Sequence, residues 1–174
     1  MAASAYVALG GNIGDRLTTL RSAVRALHAT AEVTVVRGSA IYETAPVGPS
    51  NAPFLNAALE VQTASAPAQL LQALHAIERA HGRERRVRWD ARTLDLDLLL
   101  YFDADGAPLI SEDSSCQLPH PAMLERDFVL APMVDLAPGL LLGGSTLAEH
   151  LAALPEASRT VLGRLEVDPL VPPG

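Results

Sequence analysis

Two stretches of helical period each stand between β-rich runs, and this alternation narrows the possible folds more than any other feature of the chain. Leu17, Leu20, Val24 and Leu27 fall on one helical face, and Leu70, Leu71, Leu74 and Ile77 on another. Asp15 is placed to cap the first helix, Pro67 opens the second, and Gly82 stops it. Around these helices, Ser4–Leu9, Val33–Tyr42, Phe54–Thr63 and Leu94–Phe102 carry the branched or alternating apolar residues of strands. Thr44–Pro53, with three prolines and a glycine, is expected to be a loop, and Gly82–Ala91 a second.

The resulting order is β-α-β-β-α-β. It predicts an α+β, ferredoxin-like arrangement: an antiparallel sheet with helices on one face, followed by a C-terminal extension. In that extension, Asp103–Ile110 is expected to be a hairpin tip turning at Asp105-Gly106, and Pro119-His120-Pro121 a stiff turn. Met123–Leu136 is expected to be a helix that Pro132 bends or splits. The tail past about residue 162 ends in Pro172-Pro173-Gly174 and is expected to fray. A chain of 174 residues suits one domain. Its lone Cys116 rules out an internal disulfide or a cysteine-built zinc site. Met1–Leu9 has no targeting character, and no apolar run reaches membrane-spanning length. A soluble, cytoplasmic, monomeric protein is the expectation.

Charge is unevenly distributed. All thirteen basic residues are arginines, and the chain carries a net charge of −7. Six of those arginines crowd between Arg79 and Arg92, giving that stretch +4 and leaving −11 elsewhere. An acidic chain is a poor general binder of nucleic acid or anionic membrane. A local arginine cluster inside it is either a solvated loop or a place where guanidinium forks meet phosphate oxygens.

Directly after the cluster comes Asp95-Leu96-Asp97. In a strand the two carboxylates share a face, about 6–7 Å apart, while Leu94, Leu96 and Leu98 point the other way. Two like charges on an apolar strand need compensation. Magnesium supplies it with phosphate oxygens as further ligands; ion pairing with Arg88 and Arg92 is the alternative. Paired acids beside several arginines form an inventory suited to phosphoryl transfer. Gly10-Gly11-Asn12-Ile13-Gly14 lacks the pattern of a phosphate loop and reads first as a tight turn. Only seven residues are aromatic. Phe54 and Phe128 therefore stand out, as core residues or as two sides of a clamp for a flat ring. Asn56, two residues from Phe54, offers a donor and an acceptor to a heterocycle edge. His120 is a phosphate donor or a turn residue.

Four segments resemble the 6-hydroxymethyl-7,8-dihydropterin pyrophosphokinase family. They are Tyr6–Arg16 (YVALGGNIGDR), Tyr42–Ala58 (YETAPVGPSNAPFLNAA), Gly82–Leu100 (GRERRVRWDARTLDLDLLL) and Leu118–Leu136 (LPHPAMLERDFVLAPMVDL). The Arg88–Asp97 string is the most specific. The resemblance implies a ferredoxin-like fold and transfer of pyrophosphate from ATP to the pterin hydroxymethyl group, with release of AMP, in folate biosynthesis. It implies two Mg2+ ions on Asp95 and Asp97 and a pterin between Phe54 and Phe128. Asn56 and backbone groups of Thr44 and Val47 would hold the pterin edge. Arg83 and Arg92 would handle the transferred phosphates, and His75, Glu78, Arg88, Trp89, His120 and Arg126 would line the ATP side. Gly11, Ala45 and Ala122 depart from the family's usual residues, and the working arginine between Arg85 and Arg86 is left open. Two other classes compete: an RNA-binding module of the same fold, and a metal nuclease or nucleotidyl transferase using the Asp95/Asp97 pair. The first needs a basic face, the second a third carboxylate and a basic groove.

Overall fold

The structure, a computed structural model, describes residues 2–47, 51–82 and 94–170. Strand β1 (Ala3–Gly11) leads into α1 (Arg16–His28), then β2 (Val33–Gly38), β3 (Tyr42–Thr44), β4 (Phe54–Thr63), α2 (Pro67–Ala80) and β5 (Asp95–Phe102). After β5 come a single 3-10 turn (Met123–Glu125), α3 (Asp127–Leu136), a small hairpin of β6 (Leu141–Leu142) and β7 (Ser145–Thr146), α4 (Leu147–Ala153) and β8 (Val161–Arg164). The main sheet runs β5-β1-β4-β3-β8, with β2 also on β4, and every pairing is antiparallel. This is the ferredoxin-like order expected from the sequence.

The local causes are those the sequence predicts. The Asp15 carboxylate caps α1 by accepting from the Thr18 N–H at 3.1 Å. Gly82, at φ +81°, turns the chain out of α2. Helices α1 and α2 bury Leu20, Ala23, Val24, Leu27, Leu70, Leu74 and Ile77 against Val7, Leu9, Leu59, Val61, Leu96 and Leu98 of the strands.

Four expectations need correction. The strand foreseen over Val33–Tyr42 is two strands, because residues 39–41 leave the ladder: Ser39 turns its hydroxyl back to the Ala58 N–H at 2.9 Å. The loop foreseen from Thr44 begins one residue later, since Thr44 pairs with Phe54. The helix foreseen over Met123–Leu136 breaks at Arg126, not at Pro132. Arg126 is extended (φ −125°, ψ 112°), and its carbonyl accepts from Val129 and Leu130 to start α3. Pro132 stays inside α3 and withholds only the N–H that the Phe128 carbonyl would otherwise accept. Of the tail foreseen to fray, the described part adds β8 beside β3, and Leu170 packs against Gly38 with 2% exposure, while Pro172-Pro173-Gly174 lie outside the described residues.

The C-terminal extension also covers the second face of the sheet. Met123, Val129, Leu130, Met133, Leu136 and Leu147 form a separate core with Tyr6, Ala58, Leu99 and Leu100. Helices therefore lie on both faces, α1 and α2 on one and α3 on the other. The helices-on-one-face arrangement holds for the β-α-β-β-α-β unit alone.

Candidate active site

Register assembles the site. Asp95 lies opposite Gly10, Gly10 opposite Asn56, and Asn56 opposite Tyr42, so one row crosses four strands. One row along, Asp97 faces Ala8, and on the other side Phe54 faces Thr44. Directly opposed residues in an antiparallel ladder share a face, and so do residues two apart. Asp95, Asp97, Asn56, Phe54 and Thr44 therefore all belong to the face that α3 covers. Leu94, Leu96 and Leu98 are buried on the other side, as the alternation predicts.

Polar partners fix each wall. The Asn56 Nδ2 donates to the Thr44 Oγ1 at 2.7 Å, and both side chains are buried. Their bond leaves the Asn56 oxygen facing Gly10. A Cβ at Gly10 would stand 2.6 Å from that oxygen, so only glycine leaves the amide in place. In sequence Gly10 reads as part of a turn, but it lies within β1, and its role in making room for Asn56 is visible only across strands. The Arg16 guanidinium donates to the Pro53 carbonyl at 2.8 Å and to the Glu43 carboxylate at 2.9 Å. The Asn12 amide donates to the Ala52 carbonyl at 3.3 Å. The turn after β1 thus anchors the chain immediately before Phe54. Neither Arg16 nor Asn12 was singled out from sequence, where an arginine at a helix start carries no distinctive signal.

Phe128 sits half-buried in the first turn of α3, with the Arg126 guanidinium 5.6 Å over its ring. The His120 backbone N–H donates to the Leu99 carbonyl at 2.8 Å, which seats the Pro119-His120-Pro121 turn on β5. Burial pushes the His120 imidazole below its ordinary value; the Asp97 carboxylate draws it back up, and Arg126 pushes it down. Asp97, His120 and Arg126 thus share one electrostatic neighbourhood.

Other expected residues sit elsewhere. Glu78 approaches from α2 and is buried. Its carboxylate accepts from the Leu96 N–H at 2.8 Å, the residue between the two aspartates. His75 lies half-buried one turn earlier on α2. Val47 is 43% exposed at the end of the described part of its loop. Arg83, Arg85, Arg86, Arg88, Trp89 and Arg92 lie outside the described residues.

Among the described residues, no three His, Cys, Asp or Glu side chains gather as a metal cluster. Asp95 and Asp97 supply hard oxygen donors from one strand. That set fits an ion taking one or two carboxylates and completing its shell with water or phosphate, the habit of magnesium. It does not fit zinc, which needs three or four nitrogen, sulfur or oxygen ligands from the protein.

Fold and site together define an α+β protein of ferredoxin-like topology with paired carboxylates and a buried amide on one sheet face. The sequence profile of the 7,8-dihydro-6-hydroxymethylpterin-pyrophosphokinase family matches residues 6–138. The chain belongs to that family, and it is an ATP-using pyrophosphokinase of folate biosynthesis.

The chain is 50% identical over 133 residues to the 2-amino-4-hydroxy-6-hydroxymethyldihydropteridine pyrophosphokinase of Bacillus subtilis (strain 168), covering 76% of this chain and 77% of that one. It is 44% identical over 151 residues to the Methylorubrum extorquens protein of the same name, covering 86% and 92%. Among solved structures it resembles an HPPK-DHPS in complex with substrates, with a TM-score of 0.65 and 13% identity, over 87% of this chain and 43% of that chain. A Plasmodium falciparum HPPK-DHPS gives a TM-score of 0.64 at 13% identity, over 86% and 43%. The chain spans less than half of these solved chains, and at such identities the likeness concerns fold. Family membership displaces the RNA-binding and nuclease readings. Among the described residues no helix is long and apolar enough to cross a membrane.

Proposed function

We propose that the α3-covered face of the sheet is where the pterin and the ATP phosphates meet. The observation that carries this reading is the register row joining Asp95, Gly10 and Asn56. With Asp97 two positions along β5, this gives two carboxylates and a buried amide on one surface, the face that also carries Phe54 and that α3 covers. In this reading the pterin ring lies between Phe54 and Phe128. Asn56 meets its edge, aided by Thr44 and the backbone of Val47. An amide held by Thr44, with Gly10 leaving room for its oxygen, presents a fixed acceptor, which suits a heterocycle carrying ring N–H and amino donors.

Asp95 and Asp97 would hold Mg2+, two ions by analogy with the resemblance. When bound, magnesium supplies neutralisation of phosphate charge in a poorly solvated place. In the reaction, the pterin hydroxymethyl oxygen bonds to the β-phosphorus of ATP. The bond from that phosphorus to the oxygen of the α-phosphate breaks, AMP departs, and the hydroxyl proton passes to solvent. The protein's part is positioning and charge. Asp95 and Asp97 fix where the phosphates sit relative to the pterin hydroxyl. His120 and Arg126, in the electrostatic neighbourhood of Asp97, would donate to phosphate or nucleotide. Arg83, Arg88, Trp89 and Arg92 are assigned to the phosphates and nucleotide by resemblance, as are His75 and Glu78. For Glu78 the hydrogen bond to Leu96 adds support to the strand that carries the aspartates. The reading takes the chain as a single domain acting as a monomer in the cytoplasm.

The test is product analysis. With ATP, magnesium and 6-hydroxymethyl-7,8-dihydropterin, AMP should form only when the pterin is present. ADP in its place would mean monophosphate transfer and would overturn the reading.

A further inference from the structure

We infer that Asp127 and the C-terminal segment around Thr160 set the spacing between the two walls of the pterin pocket, with Asp127 as a positioning residue. The inference rests on the pocket reading above.

Asp127 is the first residue of α3, between Arg126 and Phe128, and it is 3% exposed. A charged side chain so deeply buried requires partners, and here they come from 33 and 34 residues away. Its carboxylate accepts from the Thr160 N–H at 2.5 Å, from the Thr160 hydroxyl at 2.5 Å and from the Val161 N–H at 2.9 Å. The segment it grips runs directly on to the opposite wall. The Thr160 carbonyl accepts from the Ala45 N–H at 2.7 Å, and Val161 pairs with Thr44. Thr44 in turn accepts from Asn56. Hydrogen bonds and the short backbone stretches between them thus link the residue beside Phe128, through residues 160–161 and 44–45, to the amide proposed for the pterin edge.

Geometry makes this link specific. Three donors from two adjacent residues fix the carboxylate's position and the direction of α3's first turn, and hence the approach of Phe128 towards Phe54. Without the carboxylate, two backbone N–H groups lose their acceptor in a half-buried place and must turn towards water. That movement draws Thr160 away from Ala45 and loosens β8 from β3. The family match ends at residue 138, so Asp127 lies within it and its partners Thr160 and Val161 lie beyond it. A purely structural staple would cost stability alone. A positioning clamp costs pterin recognition in molecules that are still folded.

The experiment compares wild type with Asp127→Ala, Asp127→Asn and Thr160→Val, well below each protein's melting temperature. It reads pterin-dependent AMP release. Asp127→Ala should raise the KM for the pterin about tenfold or more, while the KM for ATP moves less than about twofold, because misplacing one wall by an ångström is enough for such a loss. Asp127→Asn, which keeps an acceptor oxygen, should recover part of that loss. Thr160→Val, which keeps both backbone donors, should raise the pterin KM by about two- to threefold. A lower melting temperature with both KM values unchanged would overturn the inference, and so would an equal rise in both. Should Asp127→Ala fail to fold, Thr160→Val decides: a selective rise supports the clamp, and unchanged KM values refute it. Wild type that gives no pterin-dependent AMP would bring down the pocket reading and this inference with it. Wild type that turns over beside variants that match it would bring down this inference alone.

Discussion

The two faces of the central sheet use the same strands in opposite ways. Towards α1 and α2 the strands present Val7, Leu9, Leu59, Val61 and Leu96, and the closure is apolar. Towards α3, Tyr6, Ala58, Leu99 and Leu100 form a smaller apolar core, and beside it stand Phe54 and the polar Asp95, Asp97, Asn56 and Thr44. The α3 face is also joined to the sheet by polar links. Tyr42 donates to the Asp135 carboxylate at 3.0 Å, and the Ala40 N–H donates to it at 3.2 Å. The pleat thus gives single strands two roles: Leu96 holds the core while Asp95 and Asp97 on either side lie on the α3 face, where the reaction is proposed. Removing a side chain from one face should therefore cost folding, and from the other should cost turnover.

The largest effect should come from Asp97→Ala. Turnover should fall by about 10²–10³-fold, the scale of losing a preorganised electrostatic contact, with the melting temperature little changed. Surviving activity would remove Asp97 from the phosphate side and weaken the contrast between faces. The counterpart is Leu59→Ala on the α1/α2 face, where Leu59 is fully buried. It should cost about 2–5 kcal/mol in denaturant unfolding and leave the KM values of the folded protein as they were. A change in KM there would show that the faces are not independent.

Phe128→Ala should weaken pterin binding by about 1–3 kcal/mol, the worth of stacking a flat heterocycle, measured by titration in the presence of a non-hydrolysable ATP analogue. Binding of the analogue alone should hold steady. Equal losses would return Phe128 to a core role. The smallest effect concerns how α3 is attached. Burial first, then the bond to Asp135, pushes the Tyr42 phenol from 10.0 up to about 12. Because the folded value is the higher, the stabilisation is complete below pH 10 and is lost as pH rises through about 12. Tyr42→Phe should remove that portion of the alkaline loss of stability, read as melting temperature against pH. An unchanged alkaline profile would mean that the link contributes nothing.

Much of the site was legible because its signals are local. The Asp95-Leu96-Asp97 alternation fixed which residues share a face, and Phe54 and Asn56 followed by the same period of two. The aromatic scarcity drew attention to Phe128. The break of the strand at residues 39–41 was not legible, because it depends on Ser39 reaching the Ala58 backbone on a neighbouring strand. Nor was the break at Arg126: Pro132 is the conspicuous helix breaker, and it is accommodated within α3. The tail reads as frayed from its Pro172-Pro173-Gly174 ending, yet β8 needs only four residues when β3 offers a free edge.

By itself the sequence determined the element order, the apolar stripes of α1 and α2, the pairing of two carboxylates on one strand face and the family to which the chain belongs. These are properties of period, capping and short-range pattern, carried by residues a few positions apart. Only the tertiary structure decided that Gly10 makes room for Asn56, that α3 closes the second face, and that Asp127 grips Thr160. Each of these depends on strand register or on contacts between residues tens of positions apart, and no local periodicity encodes which distant backbone groups a buried carboxylate will find.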